Sequence, residues 1–280
     1  MTNHELLVKG EELYQNNYQS NAKWILAFLN NWSLDQLFRN LNELNQIVPE
    51  KYFNLIQENL DGKPLAYIIG YQDFLGLLFK VNEHTFIPRT ETQELVENVL
   101  YFIDEHFLEL KNLNLLDLAT GSGAIGISLA LAEPKLNVVG SDISKEALEI
   151  ANDNAERHQC QNIKFIKSNL LAKIIKEKMR FDILISNPPY IGNDEEVAAN
   201  VKDFEPHLAL FSQNDGLYFY EEIFKNAFKV MNKKFLLAFE FGWKQKAALE
   251  KIIQKYLPNS KYYFLKDFNN NWRMLFIFNE

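Results

Sequence analysis

The stretch LLDLATGSGAIGISLA, residues 115–130, reads as a buried strand, a glycine-rich turn and the start of a helix. Gly121, Gly123 and Gly126 spell G-x-G-x-x-G, and Asp142 stands sixteen residues past the last of them, at the end of the next apolar run, NVVGSD. Such a loop lets a ligand approach the backbone, and such an acid suits a ribose. The pattern fits a dinucleotide, with the pyrophosphate over the loop. It fits S-adenosylmethionine equally well, with Asp142 accepting from the two ribose hydroxyls. A glycine turn without a ligand is the bland alternative, and the register of the acid with the glycines argues against it. The loop therefore says nucleoside without saying which.

Outward from this stretch, short apolar strands alternate with amphipathic helices: LLDLA, NVVGSD, IKFIKS, FDILIS, a helix over 216–231, FLLAFEF and a helix over 244–256. That alternation predicts a mainly parallel, doubly wound sheet. The last two runs, KYYFLKDF and WRMLFIF, are joined only by Asn269 to Asn271, too short for a parallel crossover, so this pair is expected to be antiparallel. The N-terminal residues read as helices alone, around Leu6 to Tyr14 and Ala22 to Leu29. A third follows the capping box Ser33-Leu34-Asp35-Gln36 and carries Leu34, Leu37, Phe38, Leu41 and Leu44. Pro49 suits the first turn of a fourth, with Phe53, Ile56 and Leu60 on its apolar face and Gly62 as its stop. The expected division is a helical bundle over 1–72, a β-hairpin around Gly76 with its linker over 73–92, and an α/β domain over 93–280. A bundle of this size is near the lower limit for a core of its own, so a packing extension of the larger domain is the competing reading.

Composition narrows the function classes. The 280 residues are 47% hydrophobic and 24% charged, as in ordinary globular chains. A formal net charge of −8 provides no overall positive field for the phosphates of nucleic acid, so no direct nucleic-acid binding is expected. The single cysteine, Cys160, excludes an intramolecular disulfide, and the five histidines lack metal-ligand spacing, so no metal site is expected. The opening residues carry neither a signal-peptide core nor an apolar span, and a soluble, cytoplasmic monomer without membrane association is expected.

FDILISNPPYIG, residues 181–192, begins as another buried strand and breaks into Asn187, Pro188, Pro189 and Tyr190. A turn alone explains the prolines. A dinucleotide gives no reason for the asparagine and the phenol just beyond a carboxyl strand end, where open α/β sheets place their sites. Methyl transfer to a planar NH2 group does. The lone pair of an amide or an exocyclic amine is delocalised, and two acceptors, the Asn187 side-chain oxygen and the Pro188 carbonyl, would bind both N–H groups and leave that lone pair facing the methyl. The rings would stiffen the backbone that aims the carbonyl, and Tyr190 would lie against the flat substrate.

In these motifs and others the chain resembles the HemK/PrmC family, the glutamine N5-methyltransferases of peptide chain release factors. The resemblance runs through GKPLAYIIGYQDFLGLLFKVNEHTFIPRTETQELVE (62–97), the glycine loop, SDISKEALEIANDNAERH, FDILISNPPYI and FEPHLALFSQNDGLYFYEEI (204–223). NPPY alone is shared with adenine-specific DNA methyltransferases; the IPR-T-ET and EPHLAL-DGL stretches are more particular. The resemblance implies a seven-stranded, Rossmann-like class I methyltransferase domain behind a helical bundle and a β-hairpin linker. It implies S-adenosylmethionine as cofactor, leaving as S-adenosylhomocysteine. The implied cofactor contacts are Ala119, Thr120, Gly121, Ser122, Gly123, Asp142, Asn169, Leu170 and Asn187. The implied substrate contacts are Asn187, Pro188, Pro189 and Tyr190, with Asn187, Pro188 and Tyr190 at the chemistry. The partners implied are class I release factors, methylated on the glutamine of their GGQ loop, with the bundle recognising the protein substrate.

Three positions depart from the family pattern. Ala119 replaces the first glycine of GTGSG, which fits a negative φ and not a positive one. Asn169 stands where Asp is common, offering a carbonyl without a charge. Thr90 replaces a proline. Arg89 and Glu91 read as a structural ion pair, with shaping of the active-site rim as the competing role. The rival functions are an adenine-N6 DNA or RNA methyltransferase, a nicotinamide oxidoreductase, and a non-catalytic protein that holds a translation factor through the bundle.

Overall fold

The computed structural model describes residues 1–15 and 20–279. From Leu113 onward it contains β1 (Leu113–Leu118), β2 (Leu136–Asp142), β3 (Ile163–Lys167), β4 (Phe181–Ser186), β5 (Met231–Glu240), β6 (Lys261–Lys266) and β7 (Trp272–Asn279). These seven strands form one sheet in the order β6-β7-β5-β4-β1-β2-β3. β1 pairs in parallel with β2 and β4, β2 with β3, and β4 with β5, while β7 runs antiparallel to both β5 and β6. The antiparallel end follows from the short polar turn, in which Asn270 adopts φ +64°.

All six residues of β4 are buried, as expected of a central parallel strand covered on both faces. Ile183 and Ile185 face a core shared with Leu115, Ile127, Leu236 and Phe276, to which the helix Thr90–His106 adds Val96, Val99 and Ile103. Leu184 faces the opposite core with Leu116, Leu237 and Phe239, where the helices Tyr218–Val230 and Lys246–Tyr256 add Ile223, Phe224, Leu249 and Ile253. The strand order reverses between β1 and β4, so the chain segments leaving these two neighbours diverge and open a crevice at their carboxyl ends.

By internal contacts the chain divides into two compact units, Met1–Tyr71 with Ala198–Phe204, and Gln72–Val197 with Glu205–Glu280. The strands Tyr71–Phe74 and Leu77–Lys80 form the expected hairpin, its two turn residues Leu75 and Gly76 at φ +52° and +74°. Between β4 and the helix Tyr218–Val230 lie two short helices, Ala199–Phe204 and His207–Leu210, and a two-residue parallel ladder of Ile191–Gly192 with Phe211–Ser212, none of which the sequence pattern announced. No helix among the described residues is long and apolar enough to cross a membrane.

In the first unit, helices Asn3–Leu13, Ala22–Leu29, Leu34–Arg39, Pro49–Leu60 and Leu65–Ile69 enclose a core of Leu6, Ile25, Leu26, Leu37, Tyr52 and Ile56. The Ser33 capping box and Pro49 take the expected places, and Gly62 adopts φ +103° just past its helix. The third helix is shorter than its apolar periodicity predicted. It stops at Arg39, and the Gln36 carbonyl accepts both from the Asn40 N–H at 3.1 Å and from the Asn40 side chain at 2.9 Å. The carbonyls of Leu41 and Glu43 then accept from the otherwise unpaired N–H groups of His4 and Asn3 at the start of the first helix, leaving Leu44 exposed.

The first helix packs closely on Tyr52, since a Cβ on Gly10 would lie 2.1 Å from the Tyr52 hydroxyl. Gly10→Ala is therefore expected to destabilise this unit by about 1–3 kcal/mol, the usual scale of overpacking. Urea unfolding followed by tyrosine fluorescence tests it, and an unchanged midpoint contradicts the packing described.

Candidate functional site

The glycine loop is tied down from beneath. Asp117, buried on β1, accepts through Oδ2 from the Thr120 hydroxyl and from the Gly126 N–H at 2.9 Å. Gly126 has to be glycine for this contact, because a Cβ there would lie 2.8 Å from the same carboxylate oxygen. The Thr120 N–H donates to the Ser141 carbonyl on β2 at 3.0 Å. Thr120 is thus fixed by side chain and backbone, and it holds the residue before it, Ala119, at φ +60°. Of the two cases this is the one a methyl was not expected to tolerate: Ala119 sits in a left-handed conformation, a local strain sustained by the anchored neighbour.

At the end of β2, Asp142 accepts from the Gly121 N–H through Oδ2 and from the Ser144 N–H through Oδ1, both at 2.9 Å. Burial raises its pKa, opposed by these backbone donors. Each oxygen keeps a second lone pair for a ligand hydroxyl. After β3, Ser168 donates to the Leu170 carbonyl at 2.7 Å and accepts from the Lys173 N–H, a turn that leaves Asn169 exposed.

At the end of β4, Ser186 donates to the Leu118 carbonyl at 2.6 Å, joining the ends of β4 and β1 through a buried bond. Asn187 donates from Nδ2 to the Thr92 hydroxyl oxygen at 3.1 Å. Thr92 donates in turn to Glu240 Oε2 at 2.6 Å, and the Tyr190 hydroxyl donates to Glu240 Oε1 at 3.2 Å. The Tyr190 carbonyl accepts from Gln245 Nε2 at 2.8 Å. Burial raises the pKa of Tyr190, with the Glu240 charge adding to it, so the phenol stays protonated. Burial also raises the pKa of Glu240, opposed first by the Thr92 hydroxyl and then by the Arg273 charge.

These groups meet around one cavity of about 390 Å³. It is lined by Ala119, Thr120, Gly121, Ser122, Asp142, Asn169, Leu170, Asn187, Pro188, Pro189 and Tyr190, and on another side by Phe86, Pro88, Leu208 and Tyr218. Gly123 is the one residue of the expected set that does not line it; it starts the helix Ala124–Ala132 at φ +81° and packs on Ile127, Ala151 and Phe165. The expected pairing of Arg89 with Glu91 is corrected: Arg89 pairs with the buried Glu205, which also accepts from the Ile87 N–H at 3.3 Å, so its partner comes from the EPHLAL stretch. Thr92, Glu240, Gln245 and Asp117 were not anticipated. The signal for Glu240 and Asp117 was a lone carboxylate within an apolar strand run, FLLAFEF and LLDLA.

The donor set has a clear chemical bias. Among the described residues that line the cavity there is no lysine or arginine, while Asp142 and Glu146 bring carboxylates. A cationic nucleoside fits this lining: carboxylate oxygens for hydroxyls, backbone and amide carbonyls for amines, apolar walls for a base.

Comparison with known proteins bears on the same chemistry. Residues 109–271 match the family described as "Methyltransferase domain", and residues 9–70 match "PrmC N-terminal domain". A release factor glutamine methyltransferase of Mycoplasma mycoides is 37% identical over 251 residues, 89% of this chain and 86% of that protein. Those of Staphylococcus aureus and Streptococcus pneumoniae are 35% and 37% identical, over 92% and 98% of this chain and 91% and 94% of theirs. Among solved structures, a methyltransferase from Pyrococcus furiosus superposes with a TM-score of 0.53 at 17% identity, covering 80% of this chain and 98% of that one. Human methyltransferase 10 domain containing protein gives the same TM-score and identity over 72% of this chain and 88% of its own. These two likenesses establish the class I methyltransferase fold.

Burial pushes the Asp117 carboxyl up to about 7 from its usual 3.8, against the Thr120 and Gly126 donors. A carboxyl raised on folding binds its proton more tightly in the native state, so its contribution favours folding at low pH and is lost as pH rises from about 4 to about 7. The urea midpoint is expected to decline across this window, and less steeply in Asp117→Asn than in the wild type. Equal slopes for the two proteins would contradict the assignment.

Proposed function

Because the chain belongs to the release factor glutamine methyltransferase family, we propose that it methylates the side-chain amide nitrogen (N5) of the glutamine in the GGQ motif of class I peptide chain release factors, with S-adenosylmethionine as methyl donor. The observation that carries this reading is the meeting of the glycine loop, held by Asp142, and the Asn187-Tyr190 turn around one cavity whose described lining includes no lysine or arginine. When bound, S-adenosylmethionine supplies an electrophilic methyl on a sulfonium. Asp142 would accept from the ribose hydroxyls, the Asn169 side chain would offer a neutral carbonyl to the adenine amine, and the backbone from Ala119 to Ser122 would hold the methionine part. Thr92 takes the nitrogen of Asn187, and Asn187 Oδ1 is left as an acceptor for one substrate N–H, with the Pro188 carbonyl for the other. Tyr190 stacks on the amide plane, and its phenol, held protonated and engaged by Glu240, keeps its ring fixed.

Catalysis by these residues is orientation and exclusion of water. The amide proton would become acidic only as the new N–C bond replaces the S–C bond and would leave to solvent, so no strong base is needed. The helical unit supplies contacts to the protein substrate, and the enzyme works in the cytoplasm, where release factors act. The adenine-methylating alternative fits less well, since the chain has a net charge of −8 and the described residues lining its cavity include no lysine or arginine.

Mass spectrometry of a purified release factor after incubation with this protein and S-adenosylmethionine tests the proposal. One added methyl on the GGQ glutamine is expected, and an unmodified glutamine overturns it. Asp142→Ala is expected to weaken cofactor binding in calorimetry by about 1.5–3 kcal/mol per lost charged hydrogen bond; unchanged affinity removes Asp142 from the ribose role. Asn187→Ala is expected to slow methylation at least about a hundredfold with cofactor affinity little changed, on the scale of a lost preorganised hydrogen-bonding group.

A further inference from the structure

The two side chains of the Asn187-Tyr190 turn are joined by hydrogen bonds that run in one direction. Tyr190 and Thr92 both donate to the buried Glu240 carboxylate. A threonine hydroxyl has one proton, and once that proton is given to Glu240 the oxygen can only accept. It accepts from Asn187 Nδ2 at 3.1 Å. The Asn187 amide is thereby turned with its nitrogen toward Thr92, and its oxygen is the end left for the cavity it lines. The backbone of Glu240 is fixed as well, since its carbonyl accepts from the Tyr220 hydroxyl at 2.7 Å and its strand pairs with Met274.

We infer that Glu240 is a positioning residue for the proposed methyl transfer: acting through Thr92, it decides which end of the Asn187 amide is offered to the substrate. The inference rests on the amide-clamp reading, since only a substrate that donates N–H groups needs an acceptor there. An ionised carboxylate is the side chain suited to the task. It accepts at both oxygens, so neither Thr92 nor Tyr190 has a way to reverse its proton. A neutral amide at the same position would donate at one end and free one of the two hydroxyls to turn round.

This direction is testable by inverting it. In Asn187→Asp, with Glu240 present, the new carboxylate faces a Thr92 oxygen whose proton is already committed, and the contact becomes repulsive. Adding Glu240→Gln allows a complete reversed chain. Tyr190 donates to the Gln oxygen, the Gln nitrogen donates to Thr92, Thr92 donates to one Asp oxygen, and the other Asp oxygen remains an acceptor for the cavity. Replacing Thr92 by Val removes the link in every background.

The experiment measures kcat and KM for release-factor methylation, together with Tm, for N187D, E240Q, the N187D/E240Q pair and the same pair carrying T92V. N187D/E240Q is expected to recover about tenfold or more in kcat over N187D, with KM for S-adenosylmethionine unchanged, and T92V to abolish that recovery. The Tm of the pair is expected to exceed the sum of the two single shifts. A pair no faster than N187D, or a recovery that persists with T92V, overturns the inference. If the wild type itself leaves the glutamine unmodified, the proposed function fails, and the Tm comparison still decides the chain: additive shifts overturn it and a recovered Tm supports it.

Discussion

The parallel pairing of β1 with β4 is the constraint on which the site depends. These strands are separated in sequence by two others, yet they lie side by side with Leu115, Leu116 and Asp117 opposite Ile183, Leu184 and Ile185. The buried bond from Ser186 to the Leu118 carbonyl closes the pair at its carboxyl end. One residue beyond each partner the chains diverge, one into the glycine loop at Ala119 and the other into Asn187. The glycine loop and the Asn187-Tyr190 turn are adjacent because a doubly wound sheet reverses its strand order there. Burial of β4 on both faces holds this register, since a one-residue slip would exchange the residues facing the two cores.

Around this junction the protein buries several carboxylates in whole or in part, and each one organises a loop. Asp117 anchors Thr120 and Gly126, Asp142 holds Gly121 and Ser144, Glu205 takes Arg89 and the Ile87 N–H, and Glu240 takes Thr92 and Tyr190. Burial raises the pKa of all four, so their ionised forms depend on the donors aimed at them. The stability lost in this way is exchanged for fixed backbone, including an alanine held at positive φ, in the segments that line the cavity.

What the sequence made legible was whatever is local. The glycine spacing, Asp142 after the next strand, the asparagine-proline turn, the Ser33 capping box and the antiparallel end each depend on residues within one or two elements, where periodicity and turn chemistry act directly. The expected cofactor and substrate positions gather at one cavity, Gly123 excepted. What escaped was long-range. Thr92 lies 148 residues from Glu240 and 95 from Asn187, and Arg89 lies 116 from Glu205, so no pattern along the chain pairs them. The third helix ends early, and the carbonyls of Leu41 and Glu43 that follow it cap the first helix, a long-range pairing that apolar spacing does not register. The angle at Ala119 depended on how Thr120 is anchored from Asp117 and Ser141, again beyond the reach of a local reading.

The central claim is that the site selects an amide by accepting its two N–H groups, rather than selecting whatever nucleophile stands at that position. A release factor carrying glutamate in place of the GGQ glutamine separates the two. Its carboxylate is the better nucleophile for a sulfonium methyl, but it has no N–H to donate and would face the oxygens of Asn187 and Pro188. Intact-mass measurement after incubation with this protein and S-adenosylmethionine is predicted to show methylation of the glutamine form and none of the glutamate form. Formation of a glutamate methyl ester at a comparable rate would contradict the account.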